Sequence, residues 1–449
     1  MSAEQSARSV SHAEGVDKVR ALQRVLYRSA KQVPTRRFHA LFDKVARSDV
    51  LWRAWVEVAK NQGAPGADGV SITSIEDGGT EGVRTFLDGL GKQLLDKTYR
   101  PSPLRRVHIP KPGKPGETRP LGIPTVADRV AMTAAKIVLE PIFEADFSPM
   151  SFGFRPKRSA HQALEAIRVA ANRGADWVLD ADIKACFDEI DHEALMGQVE
   201  RRVVDGEMLK LLRSWLRAGV FEGGLVSDTE SGTPQGSPIS PLLANIALHV
   251  IDEAWAKTAG LGTLVKYADD FVVLTTSQAR AEEARRRIEE VLATLGLRLN
   301  PDKTRIVFLG GGEDGFDFLG FHHRKTPSKF GDRRYLSKWP SQRAMAAIRA
   351  KVSDHTNRRF ASRDLRNVVA DLNPVLRGWG AYFRYGNSNR KFAAIDCYVH
   401  LRLSKLASVK YATRGRLRAS RFNYDWLNGL GVYRLKGHVR RWTPAHALR

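Results

Sequence analysis

Two adjacent aspartates between apolar runs are the residues of this sequence that most directly suggest chemistry. The segment Leu264-Val-Lys-Tyr-Ala-Asp-Asp-Phe-Val-Val-Leu274 predicts a β-hairpin with Asp269 and Asp270 at its turn. Carboxylates side by side between buried strands repel each other, and burying unpaired charge costs several kcal/mol. A divalent metal ion would remove that cost, so the segment predicts a metal site.

A second acidic segment ends another predicted strand. Along Trp177-Val-Leu-Asp-Ala-Asp-Ile-Lys-Ala-Cys-Phe-Asp188, strand alternation directs Asp180 and Asp182 to the same face, with Asp182 at the strand's end. If the two strands are neighbours in one sheet, Asp182 and Asp269 can share two Mg²⁺ ions about 3.5–4 Å apart, an arrangement that catalyses phosphoryl transfer. Each acid alone could be a turn residue or a salt-bridge partner, and Asp182 taken singly would more often be structural than a metal ligand.

The elements that must position these acids are both helices and strands. Apolar spacing predicts helices within 17–60, where Val19, Leu22, Val25 and Leu26 share one face, and again over 81–97, 126–146 and 159–173. Strand, turn and helix patterns alternate from Trp177 to Phe321. The sequence therefore predicts an α+β fold around the acids.

Two loops carry chemistry or shape of their own. Asn61–Gly69 is too rich in Gly and Pro for a regular element and is predicted to be a shaped loop. A short strand at Arg106–Pro110 leads into the cationic segment Lys111–Arg119, which predicts a hairpin whose basic tip can reach a triphosphate. A solvated turn is the simpler alternative for that segment.

Beyond Arg333 the pattern is predicted to be wholly helical. Three apolar stripes at helical spacing predict a helical bundle. The stripes are Met345, Ile348 and Val352; Leu365, Val368, Val369 and Leu372; and Phe392, Ile395 and Val399.

The same region carries nearly all of the chain's positive charge. The formal net charge is +23, and residues 333–449 contain 26 Lys and Arg against five Asp, an excess of 21. Such a segment attracts a polyanion through counterion release, so nucleic acid is the predicted partner. The interleaved aromatics are candidates for stacking on bases, although a helical core is the simpler alternative for them: Trp379, Tyr382, Phe383, Tyr385 and Trp426.

Composition argues against a membrane protein and a disulfide scaffold. The sequence has no run of about 20 uncharged apolar residues, and the polar opening lacks the apolar region of a signal peptide. A cytoplasmic location is therefore expected. Cys186 and Cys397 match no metal-binding spacing and are predicted to be buried, reduced thiols.

Seven segments together resemble the motifs of group II intron-encoded reverse transcriptases and maturases, in that family's order, from about residue 20 to 415. They are Arg119-Pro-Leu-Gly-Ile-Pro124, Ser151-Phe-Gly-Phe-Arg-Pro156, Asp182-Ile-Lys-Ala-Cys-Phe-Asp188, Gly232-Thr-Pro-Gln-Gly-Ser-Pro-Ile-Ser-Pro-Leu242, Tyr267-Ala-Asp-Asp270, Leu299-Asn-Pro-Asp-Lys-Thr304 and Phe318-Leu-Gly-Phe321.

This resemblance implies a right-hand polymerase fold with helical fingers plus a β-hairpin, an antiparallel-sheet palm and an α-helical thumb. It implies an N-terminal helical extension at 1–60, fingers at 61–160, a palm at 161–332, a thumb or maturase domain at 333–415 and a basic tail at 416–449. The expected activity is RNA-directed DNA synthesis together with binding of the intron RNA.

The resemblance also assigns roles to individual residues. Asp182, Asp269 and Asp270 are implied to be the catalytic, metal-binding acids, and Lys303 occupies the position of a proton donor to pyrophosphate. Four further residues are implied to contact the incoming nucleotide or the nascent pair: Lys111 and Arg119 the triphosphate, Phe187 the sugar, and Gln235 the base pair.

The expected partners are RNA as intron and template, a DNA primer or target, and a deoxynucleoside triphosphate, in a ribonucleoprotein with intron RNA. Residues 416–449 lack the cysteines of the family's C-terminal endonuclease module, so cleavage of the second DNA strand is not expected. Two alternatives stay open on sequence alone: a stand-alone reverse transcriptase of the same lineage in defence or repair, and an RNA-binding splicing cofactor without polymerase activity.

Overall fold

The computed structural model of this chain describes residues 3–110, 116–222, 225–227, 232–233, 236–258, 260–328, 331, 333–412 and 421–442. Within these residues the fold mixes helices with sheets, as the sequence predicts, and the strands are antiparallel except for one parallel pair, Leu104–Pro110 with Val220–Glu222. Several helices begin at a residue whose side-chain oxygen accepts from the first helical turn, among them Thr125, Ser159 and Ser341.

In chain order, the helices are α1 (Ala3–Gln32), α2 (Phe42–Val45), α3 (Ser48–Ala59), α4 (Ile72–Glu76), α5 (Gly79–Leu95), α6 (Val126–Glu144), α7 (Ala160–Asn172), α8 (Cys186–Glu189), α9 (His192–Glu200), α10 (Gly206–Leu216), α11 (Ser240–Ala247), α12 (His249–Ala256), α13 (Gln278–Ala293), α14 (Gln342–His355), α15 (Leu365–Phe383), α16 (Asn389–Lys410) and α17 (Tyr424–Gly429), with a 3₁₀ turn at Arg358–Phe360.

The strands are β1 (Leu104–Pro110), β2 (Thr118–Ile123), β3 (Trp177–Asp182), β4 (Val220–Glu222), β5 (Leu225–Ser227), β6 (Thr263–Tyr267), β7 (Asp270–Thr275), β8 (Arg305–Phe308), β9 (Gly315–Phe318), β10 (Phe321–Pro327) and β11 (Arg334–Pro340). They form three sheets: the fingertip sheet in the order β2-β1-β4-β5, the acid-bearing sheet in the order β6-β7-β3-β8, and the junction sheet in the order β11-β10-β9.

The acid-bearing sheet separates two hydrophobic cores. On one face, Leu179 and Phe271 pack with the helices of the first half of the chain. On the other face, Val178 and Val272 pack with α7, the junction sheet and the C-terminal helices. Because alternate residues of a strand point to opposite faces, each strand contributes to both cores, and this double burial explains its almost continuous apolar sequence.

The predicted hairpin between Arg106 and Arg119 is present. β1 and β2 pair antiparallel from Arg105 and Ile123 to Pro110 and Thr118. Lys111, at its tip, lies outside the described residues.

The helical prediction for residues 17–60 was right in type and wrong in detail. That segment contains three helices and a break, and Val25, predicted to lie on the buried face, is 60% exposed. Val19 and Leu26 are buried, and the apolar stripe of α1 runs through these residues toward α6. Val25 and Leu26 are adjacent, so on a helix they point about 100° apart and only one of them faces the core.

The prediction that everything beyond Arg333 is helical was wrong, because β11 is a strand paired along its whole length with β10. Its inward side includes Lys338, which is only 6% exposed. Because a charged residue stands at this buried position, the alternation of apolar and polar residues that predicts a strand is not visible in the sequence. The helices begin at Gln342, and the three predicted apolar stripes are the buried faces of α14, α15 and α16.

The aromatic residues proposed to stack on bases mostly pack on one another. Phe383 is buried, with ring centroids 4.8 Å from both Trp379 and Phe321 and 4.9 Å from Tyr382. Trp426 lies 4.8 Å from buried Phe422. These rings therefore belong to the core, as the simpler alternative had it.

The C-terminal residues 421–442 lie against the helices α15 and α16. Leu435 is fully buried, and the carboxylate of Asp396 accepts from the backbone N–H groups of Leu435 and Lys436 at 2.9 Å each. The side-chain amide of Asn373 donates to Gly431 O at 2.9 Å and accepts from the Tyr433 N–H at 2.8 Å. This part of the predicted basic tail therefore packs against α15 and α16.

Two minor expectations have mixed outcomes. Cys186 is buried as predicted, whereas Cys397 is exposed, and neither forms a disulfide. Among the helices within the described ranges, none combines the length and apolarity that crossing a bilayer requires.

Candidate active site

The turn between β6 and β7 presents two of the predicted acids. Tyr267 pairs with Asp270, so Ala268 and Asp269 form a two-residue turn. Ala268 has a positive φ of 57°, a conformation found in tight hairpin turns. Asp269 therefore stands at the tip, and Asp270 begins β7.

The segment Met150–Gly153 supports this turn from below. The N–H of Phe152 donates to Lys266 O at 2.8 Å, and the N–H of Lys266 donates to Met150 O at 3.0 Å. A Cβ on Gly153 would overlap the backbone nitrogen of Ala268, so only glycine permits this approach. The carbonyl of Gly153 is itself held by Asn245 at 2.9 Å.

A buried ion pair anchors β6 behind the turn. Lys266 is 1% exposed, and its Nζ lies 2.8 Å from Asp252 Oδ2 and 2.7 Å from Leu248 O. Sequence reasoning missed Lys266 and Asp252. Lysine inside an apolar strand was an available signal, because a buried cation requires an acidic partner.

Asp182 is brought to the turn by strand pairing. β3 lies antiparallel to β7, and the last pair in the register joins Asp182 to Asp270. Directly opposed residues on neighbouring strands point to the same face with Cβ atoms about 4.5–5.5 Å apart. The structure therefore brings together the three predicted acids, although they are 87 residues apart in sequence.

Lys303 contacts Asp182 directly, as expected of a residue at the site. Its Nζ lies 2.7 Å from Asp182 Oδ2. The preceding turn is fixed to the same residue, because Asn300 donates its backbone N–H to Asp182 O at 2.8 Å. Lys303 thereby neutralises part of the charge that Asp182 brings to the site.

The carboxylates of the site crowd one another. Desolvation, opposed by the turn's own backbone and reinforced by Asp182, raises the pKa of Asp269. Although Asp270 keeps an exposed edge, desolvation by the surrounding protein, followed by repulsion from Asp269 and Asp182, raises its pKa to about 6. Both shifts mean that the metal-free protein disfavours the charged forms.

This crowding is what a cation site requires chemically. Carboxylate oxygens are the preferred ligands of hard divalent ions, and a bound cation would reverse the upward pKa shifts of Asp269 and Asp270. No three His, Cys, Asp or Glu side chains in the described part of the chain are already close enough to enclose an ion. The acids fit a divalent metal by type and charge, and the strand register places them at one end of the sheet.

A further acid, Asp180, lies two residues back along β3 on the same face. Desolvation raises its pKa to about 6 against the attraction of Arg305, its cross-strand partner on β8. Arg305 Nε lies 3.3 Å from Asp180 Oδ2. The sequence placed Asp180 on this face but did not identify Arg305.

One cation of the fingertip sheet reaches the site. Arg119 on β2 is exposed. The pKa of Asp269 is raised overall, and the positive charge of Arg119 partly offsets that rise, so Arg119 lies within electrostatic range of the acids. Gly236 lies directly against β2, since a Cβ there would lie 2.6 Å from Gly122 O. The segment before α11 therefore packs against the same strand that carries Arg119.

Phe187 follows the acids on the short helix α8. Its side chain is half-buried, and its carbonyl accepts from Thr233 N at 2.6 Å. Gly232 has a positive φ of 84° and no room for a Cβ, which would lie 2.7 Å from the carbonyls of Phe187 and Asp188. The glycine thus holds its segment against Phe187, while Gln235 lies outside the described residues.

Family comparisons match two successive parts of the chain. The family described as reverse transcriptase (RNA-dependent DNA polymerase) matches residues 109–323, which include the acid-bearing sheet. The family described as group II intron, maturase-specific domain matches residues 345–424, which include α15 and α16.

Individual proteins are also similar to this chain. Protein YkfC of Escherichia coli K12 is 34% identical over 363 residues, covering 72% of this chain and 93% of that protein. The group II intron-encoded protein LtrA of Lactococcus lactis subsp. cremoris is 39% identical over 216 residues, which are 48% of this chain but only 35% of LtrA. A solved Candida albicans telomerase in complex with a fragment of telomeric RNA has a TM-score of 0.40 and 14% identity, covering 73% of this chain and 63% of that one.

Proposed function

Since this chain belongs to the family of group II intron-encoded reverse transcriptases and maturases, we propose that its acid-bearing sheet is the palm of a polymerase that copies intron RNA into DNA. The chain is an RNA-directed DNA polymerase with a maturase-specific domain that assists splicing. The observation that carries the palm assignment is the register in which Asp182 opposes Asp270 beside the turn of Asp269.

The remaining elements take the other parts of a right-hand polymerase. Residues 1–60 are the N-terminal helical extension, 61–160 the fingers with the β1–β2 hairpin, 161–332 the palm, 333–415 the thumb and 416–449 the basic tail. The observation that supports a division between the first and last of these parts is that α1 to α6 lie in one hydrophobic core and α14 to α16 in the other.

Two Mg²⁺ ions would be held by Asp182, Asp269 and Asp270. When bound, such a pair activates the primer's 3′-hydroxyl and stabilises the leaving oxygen. Lys303 then leaves Asp182 and contacts the pyrophosphate side of the nucleotide, to which its ammonium group donates a proton. This role is supported by its present contact of 2.7 Å with Asp182.

The incoming deoxynucleoside triphosphate contacts the fingertip and the floor of the site. Arg119 and Lys111 bind its phosphates, since guanidinium and ammonium groups suit phosphate oxygens. Phe187 lies under the sugar and Gln235 contacts the nascent pair. The support for this arrangement is the electrostatic range between Arg119 and Asp269 and the packing of Gly232 against Phe187.

The thumb binds RNA as intron and as template, in a ribonucleoprotein that also accepts a DNA primer or target. The cations of the thumb and the basic tail supply the affinity, because residues 333–449 hold 21 of the 23 net positive charges. The location is cytoplasmic, and no membrane takes part.

Primer extension with purified protein, an RNA template, a DNA primer, deoxynucleoside triphosphates and Mg²⁺ tests the polymerase. We expect RNA-templated product that disappears with a chelator, and no product from intact protein would overturn the proposal.

Incubating a transcript of the intron flanking the gene with the protein tests the maturase. Faster splicing supports that assignment, whereas extension without any effect on splicing would favour a stand-alone reverse transcriptase.

A further inference from the structure

Two acid–base pairs lie one behind the other on the acid-bearing sheet. Asp182 pairs with Lys303, and Asp180 pairs with Arg305, its partner in the β3–β8 register. Asp180 and Asp182 are two residues apart on β3, so they lie on one face about 6.6 Å apart along the strand. Lys303 lies in the turn that precedes β8, and Arg305 is the first residue of β8.

The two pairs are alike in exposure. A metal ion that takes Asp182 displaces Lys303, whose side chain is 59% exposed and can move away. Arg305 is 55% exposed, and it contacts the Asp180 carboxylate, which is 18% exposed. Without Arg305 that carboxylate would be the next oxygen ligand along the strand, and a cation would have two competing positions on β3.

Arg305 also links two sheets. Its Nη2 donates to Gly315 O at 3.4 Å, at the start of β9 in the junction sheet. Gly315 is tightly enclosed, since a Cβ there would overlap His323 O and lie 2.7 Å from His322 Nε2. The carbonyl that receives Arg305 is therefore a fixed point, and Arg305 ties the catalytic strand to it.

We propose that Arg305 is a positioning residue that occupies Asp180, so that divalent cations bind at Asp182, and that fixes β3 relative to the junction sheet. This inference rests on the proposed function of Asp182. It adds a residue of β8 to the machinery and predicts that Arg305 acts only through Asp180 and Gly315.

Four variants and a control test the proposal: Arg305→Ala, Arg305→Lys, Asp180→Asn, the double variant Asp180→Asn with Arg305→Ala, and Arg287→Ala. Arg287 is an exposed arginine of α13 that also pairs with a carboxylate, Glu283. Mn²⁺ affinity is measured by electron paramagnetic resonance without substrates, and primer extension is measured as a function of Mg²⁺. Thermal unfolding checks that each variant is folded.

Residues that orient metal ligands typically change metal affinity or activity about 10- to 100-fold, so we expect Arg305→Ala to lose about tenfold in extension at limiting Mg²⁺. Mn²⁺ should bind in a changed mode, with a spectrum or affinity unlike wild type. Arg305→Lys should recover most of the extension, because a cation again occupies Asp180. In the double variant, Arg305→Ala should cause little loss of extension beyond that of Asp180→Asn alone, because the amide introduced at position 180 does not attract the metal.

Losses that add in the double variant, or an Arg305→Ala protein with wild-type Mn²⁺ binding and Mg²⁺ dependence, would overturn the proposal. So would a loss from Arg287→Ala as large as that from Arg305→Ala. The Mn²⁺ measurement needs no polymerase activity, so an inactive wild-type protein refutes the proposed function while the role of Arg305 at the metal site is still decided by binding.

Discussion

Asp269 and Asp270 lie close to a third carboxylate, Asp182, and the nearby cations Arg119 and Lys303 only partly offset their repulsion. At the scale of single residues, the repulsion between these carboxylates thus destabilises the folded protein while it keeps negative charge in place for a ligand. Removing one charge should therefore stabilise the metal-free protein while harming function, which is a common trade at active sites.

Asp270→Asn should stabilise the metal-free protein at pH 7 by about 1 kcal/mol, less than the shift alone implies because Asp270 keeps an exposed edge. The folded pKa, about 6, lies above the ordinary 3.8. The native state therefore holds its proton more tightly than the unfolded state, so the destabilisation is full above pH 6 and fades as pH falls toward 4.

Chemical denaturation of both proteins at pH 7.5 and pH 4, in the presence of a chelator, measures this difference. Asp88→Asn, which changes an exposed acid of α5 far from the cluster in sequence, is the matched control. A stabilisation that stays constant with pH, or that the control shares, would contradict the electrostatic origin.

At the scale of elements, the turn of Asp269 depends on the contact between Gly153 and Ala268. Gly153→Ala should lower primer extension on the order of 100-fold, because displacing reacting groups by about 1 Å has effects of that size. RNA affinity should stay within a few-fold, since the excess of cations lies in residues 333–449. Gly197→Ala on α9 is the control, because its Cβ would meet nothing within 4 Å.

Steady-state extension and RNA binding on the same preparations decide the matter. If Gly153→Ala extends primers as well as Gly197→Ala does, the support of the turn by this segment is not required for catalysis.

Local patterns predicted the elements of the site well, and the pairing between them less well. The β6–β7 hairpin follows from alternation and a short turn, which are properties of adjacent residues. The pairing of β3 with β7 joins residues far apart, and on sequence it was only a condition for shared metal ligands. The family resemblance placed Lys303 at the site, but its contact with Asp182 was not predicted.

Two failures have a physical cause in common, which is that burial is decided by tertiary packing. Val25 has the right residue type for a core but points away from α6. Lys338 has the wrong type and is buried in β11, where its Nζ has no hydrogen-bond partner among the described residues. Neither environment is encoded by the residue's immediate neighbours.

At the scale of the whole molecule, charge is separated from chemistry. The C-terminal helices carry the excess of cations, while the carboxylates lie in the central sheet. Binding and catalysis should therefore respond to different substitutions.

Replacing Arg366, Arg390 and Lys405 by Gln should flatten the salt dependence of RNA binding. All three are exposed on α15 and α16. Each phosphate that a cation no longer neutralises reduces the slope of log affinity against log salt by about 0.7–0.9. Replacing Arg280, Arg285 and Arg287 of α13 removes the same charge and should leave the slope unchanged; equal slopes for the two triple variants would place the RNA elsewhere.

The most direct test compares wild type with Asp269→Ala in one experiment that measures both primer extension on an RNA template with Mg²⁺ and affinity for that template. The account predicts abundant product from wild type, none from Asp269→Ala, and RNA affinities within a few-fold of each other. DNA product from Asp269→Ala at a rate near wild type would contradict the assignment of the metal-binding acids, and loss of RNA binding in that variant would contradict the separation of binding from chemistry.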